Sequence, residues 1–214
     1  MSEGNRAATF FDAYAGDFNA IYGTANTLPN RVINRLFRQA MRLRYEKTLA
    51  GCEPIAGRTA IDVGCGPGHY AIALARAGAV KVFGLDFAQG MIDLARQNAT
   101  AAGVEARCRW EYGDFLTHPI SDTFDYAVVM GFMDYIADPT RVIVRVLELT
   151  RRRAFFSFPV AGGILAWQRK LRYRSRCDLF LYTKPQLQRL FEPLARGRFA
   201  IETIDRDFFV TVEV

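Results

Sequence analysis

Along the first fifty residues, apolar positions recur at three- and four-residue intervals. Leu36, Phe37, Ala40, Met41, Leu43 and Leu49 keep that spacing with arginines between them, so Asn5 to Ala50 reads as helical. Pro29 suits a first helical turn after Thr27 as cap, and Gly51 closes the run. Then the period changes. Thr59 to Val63, Val80 to Asp86, Glu105 to Tyr112, Phe124 to Met130 and Ala154 to Phe158 are short apolar runs that predict strands. Between them lie helical patterns at His69 to Ala77, Gln89 to Ala102 and Pro139 to Thr150. Alternation with short connections predicts right-handed crossovers and a mostly parallel sheet covered on both faces. The last third differs. Pro159 to Asp178 is irregular and basic, Lys184 to Leu194 is helical, and Phe199 to Val214 reads as two strands turning at Arg206-Asp207. Such a hairpin ends the sheet with an antiparallel strand.

At 214 residues, half of them hydrophobic and 23% charged, the chain is large enough for one domain with a substantial core, and it is not a disordered polymer. No run approaches the roughly 18 apolar residues of a membrane-spanning helix. The start of the chain lacks a basic stretch followed by an apolar one, so a cytoplasmic location is expected. Cys52, Cys65, Cys108 and Cys177 lie far apart with no clustered histidines, so no metal site is expected. The net charge of +6 is unevenly placed: Arg31, Arg35, Arg38, Arg42, Arg44 and Lys47 crowd one segment, Arg151 to Arg153 and Arg169 to Arg176 another. Either patch suits phosphates, acidic ligands or an anionic membrane surface, or is simply a solvated helix face.

The most informative segment is Asp62-Val63-Gly64-Cys65-Gly66-Pro67-Gly68. Glycines directly after a strand permit positive φ and a close approach of ligand to backbone, and the next helix offers its N-terminal N–H groups. The dinucleotide fingerprint is G-x-G-x-x-G, whereas the spacing here is G-x-G-x-G with a proline inside and an acid ahead. Proline removes a donor and stiffens the loop, which suits a neutral nucleoside better than a pyrophosphate.

This segment resembles the first motif of class I S-adenosylmethionine (SAM)-dependent methyltransferases, and the likeness continues downstream. Asp86 ends the second strand where that family holds the ribose hydroxyls. Phe87-Ala88-Gln89-Gly90-Met91 is similar to its D-x-S-x-x-M continuation, and Gly113-Asp114-Phe115 follows the third strand where an acid meets the adenine amino group. The resemblance implies a seven-stranded Rossmann-like α/β sheet, mostly parallel with the last strand antiparallel. It also implies SAM as cofactor, with S-adenosylhomocysteine as its product. The cofactor contacts it implies are Asp62, Gly64, Cys65, Gly66, Gly68, Asp86, Phe87, Met91, Gly113, Asp114, Phe115 and Gly131. Phe11-Asp12-Ala13-Tyr14-Ala15 resembles the family's N-terminal segment that folds over the cofactor, which makes Tyr14 either a contact at the methionine end or an ordinary core aromatic. Residues 1–52 would then form a helical cover and residues 53–214 the core.

Acceptor contacts are expected at the end of the fourth strand. Related enzymes often carry a histidine pair before a D-P dipeptide there, but this chain has Asp134-Tyr135. Asp134 and Tyr135 are therefore the catalytic candidates, with Tyr22, Phe132 and Trp167 as substrate contacts, and Asp138 is expected to cap the next helix. The 159–178 stretch interleaves Trp167 and Tyr173 with arginines, as a substrate-side insertion or an amphipathic surface helix. The D-P-P-Y and P-C signatures of base methyltransferases are absent, which disfavours nucleic acid as partner. The expected acceptor is a small molecule methylated on nitrogen or oxygen, anionic or lipid-linked if the arginines face it. Two alternatives stay open: a nicotinamide-dependent oxidoreductase, and a SAM-binding protein without catalysis.

Overall fold

The computed structural model describes residues 41–162 and 179–214. In chain order its strands are β1 (Thr59–Val63), β2 (Lys81–Asp86), β3 (Cys108–Tyr112), β4 (Phe124–Val129), β5 (Thr150–Pro159), β6 (Phe199–Ile204) and β7 (Asp207–Glu213). The helices are α1 (41–51 within the described residues), α2 (His69–Arg76), α3 (Gln89–Ala101), α4 (Pro139–Leu149) and α5 (Lys184–Ala195). The strands join one sheet in the order β3-β2-β1-β4-β5-β7-β6. Its first five strands are parallel, and β7 runs antiparallel to both β5 and β6. The Rossmann-like sheet expected from the sequence is the one observed, with β7 as its reversed strand.

Alternation along each strand sends neighbouring side chains to opposite faces. Ala127, Val129, Phe156, Phe158 and Val210 pack with Val142 and Ile143 of α4 and Leu187 and Phe191 of α5. Tyr126, Val128, Phe155 and Phe209 pack on the other face with Leu74 of α2, Ile92 of α3 and Cys52 just beyond α1. Both faces are apolar and covered, as a parallel sheet requires. Gly51 does more than end α1. A Cβ there would lie 2.5 Å from the Phe155 ring, so its missing side chain lets the helix approach β5.

Three boundaries differ from expectation. Glu105–Arg107 is a short 3₁₀ turn, because β2 offers its first partner to β3 only at Cys108, opposite Val82. β5 starts four residues before Ala154. Its charged lead-in is tied down: Arg151 meets Asp125 at 3.4 Å, and Arg153 meets Glu213 at 2.6 Å. The β6–β7 turn is Asp205-Arg206, with Asp205 at φ 51°, while Asp207 already pairs with Ile204.

Candidate active site

β1 lies between β2 and β4, so the chain's first crossover goes one way and a later one the other. Ligand crevices of open α/β sheets form at the C-terminal ends of strands at such a point. There the chain leaves β1 through Gly64, Gly66 and Gly68 at φ 68°, 51° and 83°, all in the left-handed region. Gly64 and Cys65 both donate their N–H to the Leu85 carbonyl, at 2.9 and 3.1 Å. The three glycines have different surroundings. A Cβ on Gly64 would meet the Phe132 ring at 2.5 Å, and one on Gly68 would meet the Trp110 indole at 2.6 Å. At Gly66 nothing lies within 4 Å among the described residues. Two glycines therefore serve packing, while Gly66 borders open space. The Cys65 thiol is buried, and burial next to the Asp62 and Asp86 charges pushes it well up, so it stays protonated.

The acids hold this loop. Asp62 is 1% exposed and accepts the Ala71 N–H at 3.2 Å, which ties β1 to the start of α2. Burial pushes its carboxyl up to about 7, the Ala71 N–H opposes that, and the Asp86 charge adds to it. Asp86 ends β2. One of its oxygens accepts the Gly66 N–H at 2.8 Å and the other the Ala88 N–H at 2.9 Å. Gly113 donates to the Asp86 carbonyl at 2.9 Å, which brings the loop after β3 alongside. Asp114 is exposed, and its Oδ1 accepts the Leu116 N–H at 2.8 Å. Phe115 is buried edge-on to Phe132, with ring centres 6.5 Å apart. Phe87 is half-buried, and Met91 is buried in the first turn of α3.

The loop after β4 is held from farther away in sequence. Gly131, at φ 70°, donates its N–H to Ser157 Oγ of β5 at 2.8 Å. Met133–Tyr135 form a 3₁₀ turn in which Asp134 is 2% exposed and Tyr135 half-buried. The Asp134 carbonyl accepts the Phe180 N–H at 2.9 Å. The Tyr182 hydroxyl reaches the Met133 and Ile136 carbonyls at 3.5 and 3.4 Å. Burial pushes that hydroxyl up to about 12, and the Asp134 charge adds to the shift, so it remains a donor. Asp138 caps α4 as expected, accepting the Thr140 N–H at 3.2 Å. Tyr14, Tyr22 and Trp167 lie outside the described residues.

Sequence reasoning missed Trp110, Ser157 and Tyr182. Each acts across a strand pair or a long connection, and none stands in a local pattern that marks it. Three cations of the first basic segment are ion-paired. Arg42 pairs with Glu46 at 3.5 Å, Arg44 with Asp207 at 3.2 Å and Lys47 with Glu202 at 2.8 Å. His118 is bonded to Glu111. His69 is pushed down by burial and is therefore neutral near pH 7. Among the described residues no cluster of His, Cys, Asp and Glu could hold a metal, and no helix is long and apolar enough to cross a membrane.

Residues 60–152 match a family described as a methyltransferase domain. The ubiquinone biosynthesis O-methyltransferase of Methylobacterium sp. (strain 4-46) is 35% identical over 119 residues, covering 51% of this chain and 46% of the relative. The 27-O-demethylrifamycin SV methyltransferase of Amycolatopsis mediterranei is 32% identical over 137 residues, covering 60% and 50%. The chain thus spans about half the length of these relatives or less. Among solved structures, magnesium protoporphyrin IX methyltransferase from Synechocystis, crystallised with S-adenosylhomocysteine, has a TM-score of 0.75 at 17% identity. That alignment covers 96% of this chain and 97% of that one, a likeness of fold. Through its residues 60–152, with the glycine loop at their start, the chain matches a methyltransferase domain.

Proposed function

We propose that this chain binds SAM at the ends of β1 to β4 and transfers the methyl group to an oxygen of a small-molecule acceptor. The observation that carries the reading is Gly66: an open, positive-φ position between two packed glycines, whose N–H is fixed by the carboxylate of Asp86. A ligand lying on that backbone needs the missing Cβ, and its hydroxyls would meet the Asp86 carboxylate that ends β2. Asp114, exposed at the mouth of the crevice, suits the amino group of an adenine. Phe87, Met91, Gly113 and Phe115 would flank the base. Asp62, Gly64, Cys65, Gly68 and Gly131 would form the floor toward the methionine end, with Tyr14 above it. When bound, SAM supplies a methyl group on a positively charged sulfur, open to in-line displacement.

The chain's own task is alignment and the exclusion of water. Phe132 packs against Gly64 and Phe115 and forms an apolar wall between the cofactor and acceptor ends. Asp134 and Tyr135 stand at the acceptor end, where Asp134 would orient the acceptor hydroxyl or receive its proton. The stretch after β5 leaves and returns through a closed neck. Val160 bridges Tyr182, Ala161 donates to the Tyr182 carbonyl at 2.6 Å, and Phe180 holds Asp134. Residues 163–178, Trp167 included, and the N-terminal segment with Tyr22 lie outside the described residues, and both are proposed as covers of the acceptor. The relatives named O-methyltransferases favour oxygen over nitrogen. Arg44, buried against Asp207, is withdrawn from the cations that favoured an anionic or lipid-linked acceptor, while Arg42 and Lys47 stay exposed in their ion pairs.

The test is transfer from methyl-tritiated SAM into a cell extract, followed by separation into water-soluble metabolites, lipids, RNA and protein. Label in the small-molecule fraction, as a methyl ether or ester, is the expected result. Label confined to RNA or protein, or no transfer to any fraction, would overturn the reading. Label in lipid would replace the acceptor class with a membrane-borne one.

A further inference from the structure

We infer that Arg44 and Ser157 form a positioning relay that sets the peptide at the end of β4 for cofactor binding, an inference that rests on the proposed SAM site. Ser157 is 1% exposed, and its Oγ accepts two donors, the Gly131 N–H at 2.8 Å and Arg44 Nη1 at 3.2 Å. Two lone pairs on a hydroxyl match two donors. Arg44 is itself held from behind by Asp207, whose Oδ2 lies 3.2 Å from the same nitrogen, with both side chains largely buried. A guanidinium this deep is costly to desolvate, and the surface demand on α1 would be met by any solvated residue. Its placement beneath the crevice is what needs a reason.

The geometry of the peptide supplies one. β4 has β1 on one edge and β5 on the other. The trans peptide between Met130 and Gly131 is planar, so its N–H and C=O point in opposite directions. With the N–H fixed toward Ser157 of β5, the Met130 carbonyl turns toward β1 and the loop at Gly64. Placed there, that carbonyl would be an acceptor for an ammonium or hydroxyl of the proposed ligand.

The test is calorimetric titration with S-adenosylhomocysteine, with thermal melting of each variant in parallel. Ser157→Ala should stay folded and bind about three- to tenfold more weakly, the effect of one lost orienting hydrogen bond. Arg44→Met should weaken binding similarly, and Arg44→Lys, which keeps the charge and a donor, should recover most of the loss. Arg153→Met is the control: Arg153 ties the Gly51 carbonyl of α1 to Glu213 without touching Gly131, so it should lower the melting temperature and leave affinity unchanged. If Arg44→Met does not fold, Ser157→Ala decides. A folded Ser157→Ala that binds like the unaltered chain overturns the relay. An unaltered chain that binds no S-adenosylhomocysteine instead fails the proposed function, and the relay falls with it.

Discussion

The loops after β1 and β4 sit side by side at the switch point, yet they are held by different kinds of contact. The carboxylate hydrogen bonds of the β1 loop span 9, 20 and 2 residues: Asp62 receives Ala71, and Asp86 receives Gly66 and Ala88. The β4 loop is held by residues far along the chain, with Ser157 on Gly131 and Phe180 and Tyr182 around Asp134. The first arrangement suits a cofactor common to a family, since two short motifs, at the ends of β1 and β2, carry it. The second can change with the elements that supply its supports, as the loop proposed to face the acceptor should.

The largest effect that would break this contrast is expected at Gly64. Gly64→Val places a branched side chain at positive φ and into the Phe132 ring, which should cost about 3 kcal/mol or more in stability and abolish cofactor binding. Chemical denaturation with a parallel titration checks it, and a folded variant that binds normally would remove the packing role assigned to Gly64. Next is Asp86→Ala, which should weaken S-adenosylhomocysteine by about 1–3 kcal/mol, since ribose hydroxyls and the Gly66 N–H lose a charged acceptor. Equal affinity in the two proteins would move the ribose site elsewhere.

Asp62 sharpens the contrast through pH. Its carboxyl titrates at about 7 in the folded chain against 3.8 ordinarily, so the folded state favours the protonated form. That contribution is present in full below the unfolded value and is lost as pH rises through the folded one. Asp62→Asn can still accept the Ala71 N–H but cannot ionise. Relative to the variant, the unaltered chain should lose stability between pH 5 and pH 8, by about 1–3 kcal/mol in urea denaturation. Parallel curves would mean that Asp62 is ionised throughout. The smallest effect is expected at Tyr182→Phe. The two hydroxyl contacts are long, so acceptor turnover should fall about two- to threefold with cofactor affinity unchanged. A drop in cofactor affinity instead would show the two loops to be one unit.

The same contrast governs what could be read from sequence. The sheet, the reversal of β7, the glycine loop and the Asp138 cap follow from periodicity and short motifs, because their contacts are local or repeat along a strand. Arg44 was legible only as one cation in a basic run. Its partners Ser157 and Asp207 lie more than a hundred residues away, and only the pairing of β5 with β4 and β7 brings them under it. Trp110 was hidden for a related reason: its ring fills the space over Gly68 and Gly84, a contact made by the β2–β3 register.

The central claim is that the β1 loop, with Asp86, is a SAM site and not a nicotinamide site. Isothermal titration of the unaltered chain with S-adenosylhomocysteine and, separately, with NAD tests it most directly. The account predicts saturable binding of the sulfur nucleoside, lost or strongly weakened in Asp86→Ala, and no binding of NAD. Saturable binding of NAD with no response to S-adenosylhomocysteine would contradict it.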